Sequence, residues 1–126
     1  MQVIAMIFLL AILAASTGSG DEKLSREYER CISSGEAAEG IQFAMQECID
    51  REFGIQDALL NQAYRRKMAS LPDDKKLLLR GMQRQWIRDR DQRCEADGDG
   101  SLDRFISDQC LAIETKNRTL WLDNYK

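Results

Sequence analysis

Apolar side chains recur every three or four residues through most of the chain after residue 40, and this spacing predicts helices. The first helix is predicted from Ala38 to about Leu71. Its apolar positions are Ile41, Met45, Cys48, Ile55, Leu59 or Leu60, Tyr64 and Met68. Gly54 lies inside this segment and predicts a kink or a short break, since glycine costs about 1 kcal/mol against alanine in a helix. Pro72, the only proline, marks the start of the next helix, where a missing N–H is harmless.

The second helix is predicted from about Asp73 to Glu95, without a turn pair in its late part. Its bulky residues Leu79, Met82 and Trp86 form an apolar face. A cationic row repeats every four residues on another face and must point at solvent or at a partner. The row consists of Lys76, Arg80, Arg84 and Arg88.

A turn-rich loop at residues 97–101 precedes a third predicted helix, from Leu102 to about Asn124. One side of this helix carries Leu111, Thr115, Arg118 and Leu122. Residues 21–30 are strongly charged, and the serines and glycine after Cys31 predict a reversal of the backbone. No segment alternates with the period of a strand. The fold class predicted is all-α: a small antiparallel helical bundle of three main helices plus a short N-terminal segment.

The first twenty residues carry no charged side chain, and Val3 to Ala15 is almost continuously apolar. That length is typical of a signal-peptide core and too short to span a bilayer. We therefore expect a signal peptide at residues 1–20, cleaved between residues 15 and 20, and one domain at residues 21–126. No Leu-x-x-Cys lipidation box is present, so no stable membrane anchor is expected after cleavage, and the location expected is periplasmic or secreted.

Four cysteines in an exported domain of this size predict two disulfides. They are Cys31, Cys48, Cys94 and Cys110. Pairing Cys31 with Cys48 and Cys94 with Cys110 is favoured, because each bridge closes a short loop around a chain reversal. Pairing Cys48 with Cys94 remains the alternative. Either arrangement would stabilise a small core by around 3 kcal/mol per bridge in the loop-entropy model.

Composition excludes several classes of function. The chain has no histidine and no Cys-x-x-Cys, so we expect neither a zinc site nor a Ser or Cys catalytic triad, no metal, no cofactor and no enzyme activity. Charge is segregated: residues 21–60 hold ten acids and four bases, and residues 61–93 hold four acids and ten bases. A net charge of −3 and the lack of an aromatic platform argue against nucleic acid.

The symmetry of two consecutive helical hairpins brings scattered polar residues to one level. It places Asp57 opposite Trp86 and Asn61 near Gln83, with Thr115 and Arg118 at the same height. Asp57 is expected to accept a hydrogen bond from Trp86, Arg118 or Arg90, which would fix the helix register. The predicted structural polar layer comprises Asp57, Asn61, Gln83, Trp86, Arg90, Asp91, Thr115 and Arg118.

Three motifs together resemble the LprI-type lysozyme-inhibitor family of small exported bacterial proteins. They read Asp57-x-x-x-Asn61-x-x-Tyr64, Gln83-Arg84-x-Trp86-Ile87-x-x-Arg90-Asp91-x-x-Cys94, and Cys110 with Thr115-x-x-Arg118-x-x-x-Leu122. The resemblance covers nearly all of the mature chain and implies a disulfide-bonded helical domain that inhibits lysozyme. The namesake type is a lipoprotein, and this chain departs from it by lacking the lipidation cysteine.

The function expected is an exported binding protein that inhibits a muramidase by protein–protein contact, with a lysozyme as its partner. The candidate partner-binding residues are Arg80, Arg84, Arg88, Asp97, Asp99, Ser101 and Asp103. Three alternatives stay open. The first is an EF-hand-like calcium loop from Glu95 to Asp103, although its twelfth position is Ile106 instead of glutamate. The others are an immunity or envelope-stress protein on the same scaffold and a glycosidase that uses Glu52 and Asp57.

Overall fold

A computed structural model of the 126-residue chain describes residues 23–126. The predicted signal peptide lies outside the described residues. Helices make up the described part, and no strand occurs in residues 23–126, so the all-α prediction is confirmed. The helices are α1 (Arg26–Ile32), α2 (Gly35–Ala38), α3 (Gln42–Ser70), α4 (Asp73–Arg93) and α5 (Ser101–Asn124).

The first long helix differs from its prediction in two places. It begins at Gln42 instead of Ala38, because Gly40 adopts a left-handed φ of 81° and separates α2 from α3. It also continues through Gly54 without a break, so the predicted short break is wrong. Gly54 is exposed and meets no neighbouring atom, while Ile49 and Leu60 on either side are buried. Packing of those residues outweighs the low helix propensity of one glycine.

The long helices run up, down and up. Hydrogen bonds join α3 to α5 near the starts of both helices, from Gln46 Nε2 to Asp108 Oδ2 at 2.7 Å. They join again near the ends of both helices, where Arg66 lies 3.3 Å from Asp123, so α3 and α5 are parallel. Helix α4 lies antiparallel to α5, because its late residue Arg93 contacts Glu114 at 2.7 Å and its earlier residue Gln83 bonds to Arg118, further along α5.

One end of the bundle holds both disulfides, and we call it the cystine end. Cys31–Cys48 joins α1 to α3, and Cys94–Cys110 joins the end of α4 to α5. These are the favoured pairings, and the alternative between Cys48 and Cys94 does not form. The buried apolar cluster at this end contains Leu24, Tyr28, Ala37, Cys48, Ile49, Phe105 and Ala112.

A buried carboxylate attaches the N-terminal segment to α3 at the cystine end. Glu52 is 1% exposed and accepts three hydrogen bonds. They come from the backbone N–H of Ser25 at 2.9 Å, from the Ser25 hydroxyl, and from Gln56 Nε2 at 2.8 Å. Because Ser25 is also the N-cap of α1, Glu52 fixes the start of that helix onto the bundle.

The opposite end holds both tryptophans, and we call it the tryptophan end. Its buried cluster is smaller and contains Leu60, Ala63, Leu79 and Leu122. Trp86 and Trp121 pack against this cluster from the side and remain partly exposed. No disulfide lies at this end in residues 23–126, so α4 is held here by side-chain contacts and by the short turn that joins it to α3.

Candidate functional site

A guanidinium stacks on both tryptophans and ties α5 to α4. The central carbon of Arg118 lies 3.7 Å from the ring centroid of Trp121 and 5.4 Å from that of Trp86. Its Nε donates to Gln83 Oε1 at 2.9 Å, and burial lowers the pKa of Arg118 from its usual value. The buried Nη2 has no hydrogen-bond partner among the described residues. This part of the predicted polar layer therefore holds the α4–α5 register.

A second guanidinium, that of Arg90, also lies near Trp86, 5.0 Å from the ring centroid. The Arg90 side chain is only 11% exposed. Its Nη1 donates to Thr115 Oγ1 at 3.2 Å, and its Nη2 lies 2.8 Å from Asp91. Arg90 also lies 5.9 Å from the ring of Phe53 on α3, a contact that sequence reasoning missed. The hairpin symmetry does place Phe53 level with Arg90, so that signal was present in the sequence.

The expected position of Asp57 in this network is wrong. Asp57 is exposed, and its side chain accepts only a long hydrogen bond of 3.4 Å from Asn61 Nδ2 among the described residues. Trp86, Arg90 and Arg118 are occupied with one another and with other partners. Hairpin symmetry fixes the height of a residue along the bundle and does not fix the direction in which its side chain points.

Asp57 instead lines a cleft between α3 and α4 with a volume of about 400 Å³. One wall comes from α3 and the other from α4, and the lining includes residues of two of the sequence motifs. The lining residues are Asp57, Leu60, Asn61, Tyr64, Arg80, Gln83, Arg84, Ile87 and Arg90. Sequence reasoning missed Leu60, Tyr64 and Ile87 as members of a site, although Tyr64 and Ile87 belong to the motifs.

The outer face of α4 carries cations without acidic partners. Arg80, Arg84 and Arg88 are exposed, and none of them forms an ion pair within residues 23–126. Arg88 donates to the neutral side chain of Gln85 at 2.6 Å. The fourth residue of the row, Lys76, is paired with Asp73 at 3.6 Å. We call the three arginines the α4 row.

The loop before α5 is arranged as a helix start. The Asp103 carboxylate accepts a hydrogen bond from the backbone N–H of Gly100 at 3.1 Å, and a Cβ on Gly98 would lie 2.7 Å from that carboxylate. Asp97, Asp99 and Ser101 are exposed beside it. Residues 23–126 contain no cluster of three acidic, cysteine or histidine side chains able to hold a metal, so the calcium alternative gains no support.

The two carboxylates of the glycosidase alternative lie in different surroundings. Glu52 is buried and its oxygens are engaged by Ser25 and Gln56, whereas Asp57 is exposed in the α3–α4 cleft. A glycosidase needs both carboxylates at one scissile bond. This pair therefore provides no such arrangement.

A family model described as "Lysozyme inhibitor LprI" matches residues 31–122, which is most of the chain. The chain belongs to the LprI lysozyme-inhibitor family. The match includes all four cysteines, the α3–α4 cleft and the α4 row. No curated protein and no solved structure matches the chain. None of the helices in residues 23–126 has the length and apolar character of a membrane-spanning segment.

Proposed function

We propose that this LprI-family protein is exported to the periplasm or secreted and inhibits a lysozyme by protein–protein contact through the outer face of α4. Membership of the family supports a function of the lysozyme-inhibitor type. Two disulfides and the predicted signal peptide support an oxidising compartment outside the cytoplasm.

The observation that carries the proposal is the α4 row. Its three arginines follow one another at intervals of four residues on a continuous helix, so each is turned by only about 40° from the one before it and neighbours share one side of the helix. None of them has a carboxylate partner in residues 23–126. A rigid helix that presents three unpaired cations is suited to an acidic partner surface.

The chemistry of a muramidase supplies such a surface. Lysozymes work with two carboxylates in a cleft, one of them ionised. An arginine is long enough to enter a cleft while its helix stays outside, and its planar guanidinium pairs with a carboxylate through two hydrogen bonds. Occupation of those carboxylates by Arg84 or Arg88 would exclude the saccharide substrate.

The acidic loop before α5 has a different role in this proposal. Asp97 and Asp99 are exposed in the loop that follows the end of α4. Animal lysozymes are strongly basic, so these carboxylates would raise the association rate and orient the approach without entering the catalytic cleft. Ser101 at the start of α5 and the capping Asp103 lie in the same loop region.

The test is muramidase activity on bacterial cell walls in the presence of the mature chain, from residue 21 onward. The unchanged protein is expected to inhibit at least one animal or bacterial muramidase. Replacing Arg84→Glu and Arg88→Glu together is expected to weaken inhibition by about a hundredfold or more, since two attractive charges become repulsive. The matched control is Arg26→Glu on α1, an exposed arginine without an ion pair in residues 23–126.

Full muramidase activity in the presence of unchanged protein, for every class of enzyme tested, would contradict the function. Equal inhibition by the double variant and by the control would contradict the assignment to the α4 row while leaving inhibition in place. Neutralising Asp97→Asn and Asp99→Asn is expected to slow association, with little change in the dissociation rate.

A further inference from the structure

We infer that the α3–α4 cleft is a binding site for a small ligand that carries a carboxylate and, opposite it, a hydroxyl or ammonium donor. This site shares Arg84 with the lysozyme contact proposed above and adds the α3 wall, which that contact does not use. A free small molecule can enter the cleft between its two walls.

The α4 wall of the cleft is cationic. Arg80 and Arg84 line it, and neither has a carboxylate within 4.0 Å among the described residues. Arg90 lies deeper, and its contacts with Thr115 and Asp91 hold it in place. Two guanidiniums without an ion pair in residues 23–126, beside a third that is held in place, form a receptor for a carboxylate, which accepts paired hydrogen bonds from arginine.

Gln83 adds a neutral donor to the same wall. It is 92% buried, being 8% exposed, and its Oε1 is occupied by Arg118 Nε at 2.9 Å. That bond fixes which end of the amide is the acceptor, so the Nε2 group remains as a donor without a partner in residues 23–126. An amide N–H that opens onto a cleft favours a ligand with an acceptor oxygen.

The α3 wall has the opposite character. Asp57 and Asn61 line it, and within the described residues their side chains bond only to each other, over a long 3.4 Å. Tyr64 adds a phenol, and Leu60 adds an apolar surface. A ligand whose carboxylate faces the arginines would present its other side to Asp57, and a carboxylate accepts from a hydroxyl or an ammonium group.

The volume limits the size of the ligand. About 400 Å³ is near the lower end of the range for small-molecule sites. It admits one sugar ring or two amino-acid residues. Acidic sugars and short peptides share the required chemistry, and both occur as fragments of the polymer that a muramidase degrades.

The experiment is a nuclear magnetic resonance titration of the mature chain, followed at the backbone amides and at the arginine side-chain Nε–H signals. The probes are N-acetylmuramic acid for an acidic sugar, alanyl-alanine for a peptide, and neutral N-acetylglucosamine. Saturable shifts at Arg80, Arg84 and Gln83 with either carboxylate probe, and none with N-acetylglucosamine, are expected. The probe that binds more tightly identifies the source of the carboxylate.

Substitution sharpens the result. Arg80→Gln together with Arg84→Gln keeps polar side chains on α4 and removes two charges, and it is expected to weaken binding by about tenfold or more. The matched control is Arg88→Gln, which lies one turn further along the same row and does not line the cleft. It is expected to leave the dissociation constant within about twofold.

Three results would overturn the inference: no saturable shift with either carboxylate probe, equal shifts with N-acetylglucosamine, or the same loss from Arg88→Gln as from the double variant. The last would mean general attraction to a basic surface. Because no muramidase is present, each of these results is independent of whether the protein inhibits lysozyme.

Discussion

The cystine end and the tryptophan end of the bundle hold their helices together by different means. At the cystine end, the short helices α1 and α2 contribute one buried side chain each, and two disulfides and the Glu52 carboxylate hold the elements together. At the tryptophan end, long helices meet over four buried side chains, and Arg90 and Arg118 complete the packing against Trp86 and Trp121. The disulfides thus lie at the end where two of the helices are short. The outer face of α4 takes no part in holding the bundle together.

The largest change in stability is expected on replacing a buried leucine at the tryptophan end, compared with an exposed leucine beside it. Leu79 is 0% exposed and Leu78, its neighbour, is 54% exposed. Leu79→Ala is expected to lower the free energy of unfolding by about 3 to 4 kcal/mol, through lost burial and the cavity left behind. Leu78→Ala is the control and is expected to change it by about 0.5 kcal/mol or less. Denaturant unfolding measures both, and similar losses would contradict the placement of α4.

Removal of either disulfide tests the cystine end. Replacing both partners by alanine, at Cys31 and Cys48 or at Cys94 and Cys110, is expected to cost about 3 kcal/mol in each case, since the sequence separations are 17 and 16. Denaturant unfolding under oxidising conditions gives the difference. A loss well below about 1 kcal/mol from both pairs would mean that the noncovalent contacts of this end suffice.

Removal of the stacked guanidinium of Arg118 is expected to lower the free energy of unfolding by less than removal of a disulfide. Arg118→Leu keeps an apolar contact with Trp121 and leaves Gln83 Oε1 without its donor. The expected loss is about 1 to 2 kcal/mol. Arg88→Leu is the matched control on the exposed row and is expected to stay within about 0.5 kcal/mol. Thermal and denaturant unfolding distinguish the two, and equal losses would show that Arg118 contributes nothing beyond its length.

The smallest effect is expected at high pH. Burial raises the pKa of Tyr28 above its usual 10.0, with Glu29 and Glu52 adding to the rise and the hydrogen bond from Gln109 opposing it. The unfolded chain then loses this proton first, so the stability from Tyr28 is present below pH 10 and is lost as pH rises further.

Comparison with Tyr28→Phe isolates the contribution of the Tyr28 phenol to the free energy of unfolding. At neutral pH the variant is expected to lose about 0.5 to 1 kcal/mol with the Gln109 hydrogen bond. Above pH 10 the difference in free energy of unfolding between the two proteins is expected to narrow, since phenylalanine has no proton to lose. A gap that stays constant through this range, measured by denaturant unfolding, would contradict the burial of the phenol.

The sequence predicted the helices well because their apolar period is long and uninterrupted, and Pro72 marks the boundary between two of them. Hairpin symmetry also predicted the height of the layer in which Gln83 and Thr115 meet their arginines. It could not predict that Asp57 points into a cleft, because rotation about a helix axis depends on packing over the whole face.

The role of Glu52 was also beyond sequence reasoning. Its partner Ser25 lies 27 residues away in a short segment without a strong periodic pattern, so only the folded chain brings them together. The α3–α4 cleft is similar: its lining comes from two helices, and its concave shape depends on the gap between them.

The proposed function requires Arg84 or Arg88 of the α4 row to occupy the catalytic cleft of a muramidase. Calorimetry can measure binding of the mature chain to a muramidase whose cleft is either free or filled by a short N-acetylglucosamine oligosaccharide. We expect binding to the free enzyme and competition by the oligosaccharide. Undiminished binding to the filled enzyme, or no binding to the free one, would contradict it.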